Sequence, residues 1–240
     1  MNAIVNIPLP IPVREVTTVK EAELVTGKLS DPDKMPGKAW GIPASQCKRG
    51  GKLHLRPGTV CHDCYARKGR YVMPVVANAY LRRLQAYTHR PRWHWIQAMI
   101  FLIGKQTKKE TPYFRVFDSG DLQDEDMLKA WYSVANNLPK IKFWLVTRER
   151  GIVRTVARLV HAPKNMVVRV SGDMVDDDGP TGFNNIGKVA SKVPLEEWAK
   201  LVKRNTRKDW HCPAPLQDNR CGDCRACWDP KVVSVTYMKH

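Results

Sequence analysis

The sequence has no long hydrophobic run, no internal repeat and no low-complexity tract. Its longest apolar stretch, residues 96–103, is interrupted by Gln97 and is far shorter than the roughly 20 residues that a membrane span requires. No basic segment followed by an apolar segment opens the chain, so the sequence does not predict export. We therefore expect a cytoplasmic protein without a membrane partner, whose 240 residues can bury one substantial core.

Acidic residues are too few to balance the basic ones. Lysine and arginine total 40 against 23 aspartates and glutamates, which leaves a net charge of +17. A charge of this size creates a positive field that favours a polyanionic partner, and nucleic acid or a nucleotide is the first candidate. No dense basic run concentrates the charge. An alternative is therefore that the charge lies on solvated helix faces and only aids solubility.

The seven cysteines form two groups, which are Cys47, Cys61 and Cys64, and then Cys212, Cys221, Cys224 and Cys227. An odd number, short spacings and an expected cytoplasmic location disfavour disulfides. The second group reads C-P-x7-C-x2-C-x2-C, a spacing that lets four thiolates converge on one compact [4Fe-4S] cluster. The first group supplies three thiolates, so a cubane bound there would keep one iron open to an exogenous ligand.

Zinc is the alternative metal for both groups. Pairs of cysteines in C-x2-C spacing also build tetrahedral zinc sites, and the four-cysteine group alone completes such a site. The three-cysteine group needs a fourth ligand to hold zinc, which His54 or His62 would provide.

The first half of the sequence predicts an arm, a loop and two helices. Residues 1–35 are proline-rich and then charged, and predict an irregular N-terminal arm. Residues 47–64 contain several glycines and prolines and predict a long loop. Two apolar faces predict the helices that follow, one through Val76, Tyr80, Leu84 and Tyr87, and one through Ile96, Met99, Ile100 and Ile103.

From residue 113 short strands alternate with helices. Strands are predicted at 113–117, 141–146 and 166–170, with helices near 125–137 and 151–161. This repeat calls for parallel pairing through right-handed crossovers. We therefore expect an α/β fold in which residues 36–210 form a partial (β/α) barrel-like parallel sheet, and residues 211–240 form a cysteine-rich, cluster-binding segment packed on this core.

Polar, sharply turning sequences follow each of these strands. The carboxyl ends of parallel strands meet at one edge of a sheet, which is where α/β proteins bind ligands. Arg169 lies within a strand, where its charge requires a polar lumen or a partner. The predicted cofactor-binding residues are Ser119, Gly120, Asp121, Thr147, Arg148, Arg169, Ser171 and Asp173. Taken singly, each turn is also an ordinary helix-capping sequence, and the arginine an ordinary salt-bridge residue.

Six segments of the sequence together resemble the phage gene-product-eighty-eight family. They are K-M-P-G-K-A-W-G-I-P-A at 34–44, C-H-D-C-Y-A-R-K-G-R-Y at 61–71, F-D-S-G-D-L at 117–122, F-W-L-V-T-R-E at 143–149, V-V-R-V-S at 167–171 and C-G-D-C-R-A-C-W at 221–228. The resemblance runs from residue 34 to the end of the chain. It implies a phage origin, and with it a phage-infected host cell, but no established reaction.

A more distant resemblance is to radical S-adenosylmethionine enzymes, whose partial barrel holds a three-cysteine [4Fe-4S] cluster. The C-x2-C-Y-A segment at 61–66 is similar to the end of their cluster motif, which places the first strand at residues 40–44. The resemblance implies that Ser119-Gly120-Asp121 binds the methionine amino group and that Ser171 and Asp173 reach the ribose. The four-cysteine group resembles their auxiliary cluster domains. The 13-residue gap between Cys47 and Cys61 and the aspartate at 121 depart from the family pattern.

The sequence thus leads to one principal hypothesis and two alternatives. The principal hypothesis is a radical-S-adenosylmethionine-like iron–sulfur enzyme that acts on nucleic acid or a nucleotide and receives electrons from a reductant protein. One alternative is a basic nucleic-acid-binding protein in which zinc or iron–sulfur centres only hold the shape. The other is an iron–sulfur electron carrier or redox sensor, although an electron carrier has no need for a polar rim.

Overall fold

The computed structural model describes residues 15–239. Within the predicted arm, helix α1 (Val19–Thr26) begins with a capping box, in which the Thr18 hydroxyl accepts from the Glu21 amide at 3.2 Å and the Glu21 carboxylate accepts from the Thr18 amide at 3.1 Å. The helix ends at Gly27 in the left-handed conformation, with φ of 80°. This part of the arm is therefore helical, and the prediction of an irregular segment is wrong there. Residues 1–14 of the predicted arm lie outside the described residues.

The centre of the molecule is a seven-stranded, all-parallel sheet in a mixed α/β protein. Its strands are β1 (Lys38–Trp40), β2 (Tyr113–Val116), β3 (Lys142–Thr147), β4 (Met166–Ser171), β5 (Ile186–Ala190), β6 (Asp209–His211) and β7 (Ser234–Met238). The spatial order is β1-β2-β3-β4-β5-β7-β6. The further helices are α2 (Lys48–His54), α3 (Pro74–Thr88), α4 (Arg92–Gln106), α5 (Glu125–Asn136), α6 (Arg150–Ala157) and α7 (Leu195–Lys203).

Most predicted elements are confirmed, and the errors have local causes. The three predicted strands correspond to β2, β3 and β4, and the four predicted helices correspond to α3, α4, α5 and α6. The predicted loop at 47–64 instead contains α2, whose two glycines lower its helix propensity and hide it from periodicity. The first strand is β1, which ends at Trp40 rather than beginning there. Strands β5, β6 and β7 are absent from the predicted pattern.

The hydrophobic core lies on the helix-covered face of the sheet. Strands β1 to β5 are consecutive neighbours, so right-handed crossovers place their connecting helices on the same side. Three tryptophans from β1, α4 and α5 meet there edge to face. The ring centroid of Trp95 lies 5.5 Å from that of Trp40 and 5.2 Å from that of Trp131. The inward residues of β2 and β3, including Phe114 and Phe143, complete the same cluster.

The C-terminal segment covers the opposite face of the sheet. Trp228 donates from its indole nitrogen to the Phe114 carbonyl at 3.0 Å, and its ring lies edge to face against Trp144 at 5.2 Å. This segment brings the four-cysteine group over the middle strands. None of the helices among residues 15–239 has the length and apolarity needed to cross a bilayer.

Candidate functional site at the carboxyl ends of the strands

The turns after β2 and β3 are joined by the Asp121 carboxylate. One carboxylate oxygen accepts from the Thr147 hydroxyl at 2.6 Å and from the Leu122 amide at 2.8 Å, and the other accepts from the Arg148 amide at 2.9 Å. Burial raises the pKa of Asp121 to about 6, even though these hydrogen bonds act in the opposite direction. Asp121 therefore holds two of the predicted turns together.

The turn after β4 is joined to the three-cysteine loop by Arg49. Arg49 belongs to α2, and its Nε donates to one oxygen of Asp173 at 3.0 Å while its terminal nitrogen contacts the other oxygen. Arg150 lies 3.3 Å from the same carboxylate. Burial by itself raises the pKa of Asp173, but the hydrogen bond from Arg49 and the charges of Arg150 and Arg148 bring it below its usual value.

A second contact fixes α2 against the turn after β3. The Arg49 amide donates to a Glu149 carboxylate oxygen at 2.7 Å. Arg148, in the same turn, donates from its Nε to the Gly172 carbonyl at 3.0 Å. Sequence reasoning missed Arg49, although its position two residues after Cys47 was a usable signal. The turns of β2, β3 and β4 and the cysteine loop thus form one connected rim.

Two thiols of the first group face a common space beside α2. A Cβ atom placed on Gly50 would lie 3.5 Å from the Cys61 sulfur and 3.7 Å from the Cys47 sulfur. Burial raises the pKa of both thiols, and the charge of Arg148 acts against this shift. The charge of Cys64 also raises the pKa of both thiols.

The two histidines of this loop contact backbone carbonyls through their Nδ1 atoms. Nδ1 of His54 lies 3.0 Å from the Cys61 carbonyl oxygen, and Nδ1 of His62 lies 3.1 Å from the His54 carbonyl oxygen. These contacts brace the loop around Cys61. A zinc ligand from either ring would therefore be its Nε2.

Replacing Gly50 with alanine tests whether the space between the sulfurs holds a metal centre. The added methyl group would occupy that space, so if the three cysteines bind iron we expect Gly50→Ala to lose it. Gly51→Ala is the matched control, because a Cβ there meets no atom within 4 Å and alanine favours the same helix by about 0.5–1 kcal/mol. Iron per chain and thermal unfolding are measured for both variants. Equal iron in the two would contradict a metal centre between these thiols.

The four-cysteine group is embedded in the C-terminal segment. Cys212, Cys224 and Cys227 pack, together with Tyr237, against a small hydrophobic cluster of Ala226, Val232 and Val235. Burial raises the pKa of Cys212 to about 12 and that of Cys227 to about 11. The Cys227 sulfur lies 3.2 Å from the Tyr237 hydroxyl.

Cationic side chains surround this second group. Burial raises the pKa of Cys227, and the charge of Arg169 offsets part of this rise. Burial also raises the pKa of Cys221, and the charges of Arg115 and Arg225 offset part of that rise. Three guanidinium groups are suited to the negative charge of thiolates and of a cluster that they hold. All seven cysteines are free thiols in the structure.

Arg169 lies apart from the rim and is fully buried. Its two terminal nitrogens donate to four backbone carbonyls at 2.9–3.2 Å. The acceptors are those of Ile186, Ala226, Val232 and Val233. Its described hydrogen bonds thus tie the C-terminal segment to the sheet. Its expected role in cofactor binding stays a prediction.

The remaining predicted residues lie at the rim. Ser119 is buried, and its hydroxyl has no hydrogen-bond partner among residues 15–239. Gly120 has φ of 83°, and a Cβ on it would fall 2.3 Å from an Ile42 side-chain atom, so only glycine permits this approach of the β2 turn to the chain after β1. Ser171 is also buried, and its hydroxyl would lie 3.1 Å from a Cβ on Gly187.

Two further features of residues 15–239 bear on where a ligand would bind. Within residues 15–239, no three or more Cys, His, Asp or Glu side chains are arranged to hold a single metal ion. A cubane takes one thiolate at each iron, so its ligands stand farther apart than those of a single ion. A groove between Asn136, Pro139 and His161 lies at the amino ends of β3 and β4, opposite the rim. Parallel α/β sheets bind ligands at the carboxyl ends of their strands, so this groove is not part of the candidate site.

Fold and site together define a parallel α/β protein in which a thiol-rich loop is clamped to a polar rim. The family model Gene product 88 matches residues 15–230, and the chain belongs to this family. The resemblance of the sequence to the phage gene-product-eighty-eight family is thereby confirmed. No curated protein and no solved structure gives a significant match to the chain.

Proposed function

We propose that this protein is a radical-S-adenosylmethionine-like iron–sulfur enzyme of phage-infected cells, with one three-cysteine and one four-cysteine [4Fe-4S] site. The observation that carries the proposal is the clamp formed by Arg49, which holds the three-cysteine loop against the carboxyl ends of β3 and β4. A sheet that curves as a partial barrel would enclose the rim and shield it from water.

The residues present suit this cofactor set. Cys47, Cys61 and Cys64 would hold the first cluster, and its open iron would face the turns that Asp121 joins. When bound, the cluster and S-adenosylmethionine supply a one-electron cleavage of the sulfonium. The buried Ser119 hydroxyl, which has no partner in the described part of the chain, is available to a polar group of the cofactor. Ser171 and Asp173 would contact the ribose, with Asp173 kept ionised by Arg49 and Arg150.

The net charge of +17 supports nucleic acid or a nucleotide as the substrate. The reaction also requires a low-potential reductant protein as a partner. The chain's own part is to orient the nucleoside and to present one substrate C–H bond beside it.

Metal analysis and electron paramagnetic resonance (EPR) test the proposal. We expect anaerobically purified protein to contain about eight irons and as much acid-labile sulfide, as two cubanes require. Added S-adenosylmethionine should change the EPR spectrum of the reduced protein, since it binds the open iron. Zinc without sulfide, or a spectrum that S-adenosylmethionine leaves unchanged, would refute the radical enzyme.

A basic nucleic-acid-binding protein with structural metal centres is the second candidate. The four hydrogen bonds of Arg169 favour it, because they make the four-cysteine segment a fixed part of the sheet. In this case metal removal would unfold the C-terminal segment, and binding to single-stranded DNA would weaken steeply with salt. Both properties would persist without any response to S-adenosylmethionine.

A further inference from the structure

Contacting side chains lead from the first cysteine group to the second across the face of the sheet opposite the core. Tyr65 follows Cys64 in the chain, and its hydroxyl lies 3.4 Å from a terminal nitrogen of Arg115. The Arg115 guanidinium in turn lies 4.5 Å from the centre of the Trp144 ring. Such a cation–π contact holds both groups in a defined geometry.

Trp144 continues this path to the four-cysteine group in two ways. Its ring is nearly parallel to that of Tyr237, with 17° between the planes and 6.4 Å between the centroids, and the Tyr237 hydroxyl contacts the Cys227 sulfur at 3.2 Å. The Trp144 ring also meets that of Trp228, the neighbour of Cys227, at 5.2 Å. Trp144 is therefore common to both routes.

Packing alone does not account for this arrangement as well as it does for the core. The core tryptophans pack against one another and against aromatic and aliphatic side chains of strands and helices. Trp144 instead contacts a guanidinium and two aromatic rings, one of which reaches a thiol. Delocalised rings in contact between two metal-ligand groups offer an electronic path that aliphatic side chains do not.

We infer that Tyr65, Arg115, Trp144 and Tyr237 form an electron path between the two cysteine-bound centres. The inference rests on the proposed function, since it requires a redox-active centre in each group. A low-potential one-electron donor would reduce the four-cysteine centre, which would then pass one electron to the three-cysteine centre. The four-cysteine centre would be reoxidised by one electron and the three-cysteine centre reduced by one, with no bond formed or broken in the protein.

The rate of electron arrival at the three-cysteine centre tests this path. Anaerobic protein holding both clusters is mixed with dithionite, frozen at successive times, and the EPR signal of each reduced cluster is followed. The signals are assigned from Cys64→Ser and from the double variant Cys224→Ser/Cys227→Ser. Trp144→Leu should slow reduction of the three-cysteine cluster by an order of magnitude or more, and the double variant should do the same.

Two further variants separate the path from packing. Tyr237→Phe keeps the ring but removes the 3.2 Å contact with Cys227, and should slow the same step while preserving both clusters. It keeps the test decisive if Trp144→Leu loses iron. Trp210→Leu is the matched control, since Trp210 lies on the edge strand β6 and packs against the same small hydrophobic cluster as Cys212, Cys224 and Cys227. It should leave the rate unchanged.

Unchanged reduction rates in Trp144→Leu, or in Tyr237→Phe where the former loses iron, would overturn the path while leaving the two clusters in place. Zinc in either group would overturn both the path and the proposed function, because zinc has no redox chemistry. Two clusters with no response to S-adenosylmethionine would overturn the proposed enzyme alone, since the electron path is measured without that cofactor.

Discussion

Replacement of Cys64 by serine should remove half of the bound iron and all of the response to S-adenosylmethionine. The three-cysteine group has no thiolate to spare for a cubane, so the variant should lose that cluster. The total iron should then fall from about eight to about four per chain. The remaining four irons should belong to the C-terminal group, whose ligands and cationic neighbours are untouched. Iron and sulfide analysis with EPR of the reduced protein measures both effects.

Cys224→Ser is the matched control for this variant. It should lose a comparable amount of iron but keep the response to S-adenosylmethionine, because the proposed function assigns the open iron to the other group. Radical cleavage that persists in Cys64→Ser would contradict the proposed enzyme. The same measurement on Cys47→Ser decides whether the distant first cysteine is a ligand or a spare thiol.

Replacement of Arg169 by leucine should lower the free energy of unfolding by roughly 3–5 kcal/mol. The buried guanidinium serves four carbonyl groups, and leucine would leave all four without this donor. Three of the acceptors, Ala226, Val232 and Val233, belong to the C-terminal segment that carries the cysteines. We therefore expect the variant to lose the iron of the four-cysteine group first. Urea unfolding followed by tryptophan fluorescence, together with iron analysis, measures this.

Arg158→Leu provides the comparison for Arg169→Leu. Arg158 is exposed at the end of α6, so its replacement should change the free energy of unfolding by no more than about 0.5 kcal/mol. If Arg169→Leu kept full iron and wild-type stability, Arg169 would not be what ties the C-terminal segment to the sheet, and its role as an anion-binding residue would regain support.

Local patterns were sufficient for elements that are long and periodic. Helix α5 was predicted from its apolar stripe, and it begins where Asp124 caps it by accepting from the Met127 amide at 2.7 Å. The alternation of β2, β3 and β4 with helices predicted the parallel pairing that the sheet shows. Strands β1 and β6 have three residues each, too few to carry a period, and pairing with their neighbours creates them.

The rim shows the same division. Polar turns after three strands were visible in the sequence, and the parallel sheet brings them to one edge. The partners within the rim were not visible: Arg49 and Asp173 lie 124 positions apart, and only the strand order places them in contact. Arg169 is a second case in which the sequence did not reveal the partners, since its charge within a strand predicted that it binds a cofactor. The pairing of β5 with β7 places backbone carbonyls around it instead.

The sequence by itself determined the family, the α/β class, the division of the cysteines into two groups and the polar character of the strand ends. Each of these depends on residue type and spacing over short stretches. The tertiary structure alone decided which side chains meet, namely Arg49 with Asp173, Asp121 with Thr147, and Trp144 with Tyr237. Those contacts depend on strand order, crossover handedness and the return of the C-terminal segment over the sheet, which are properties of the whole chain and not of any local pattern.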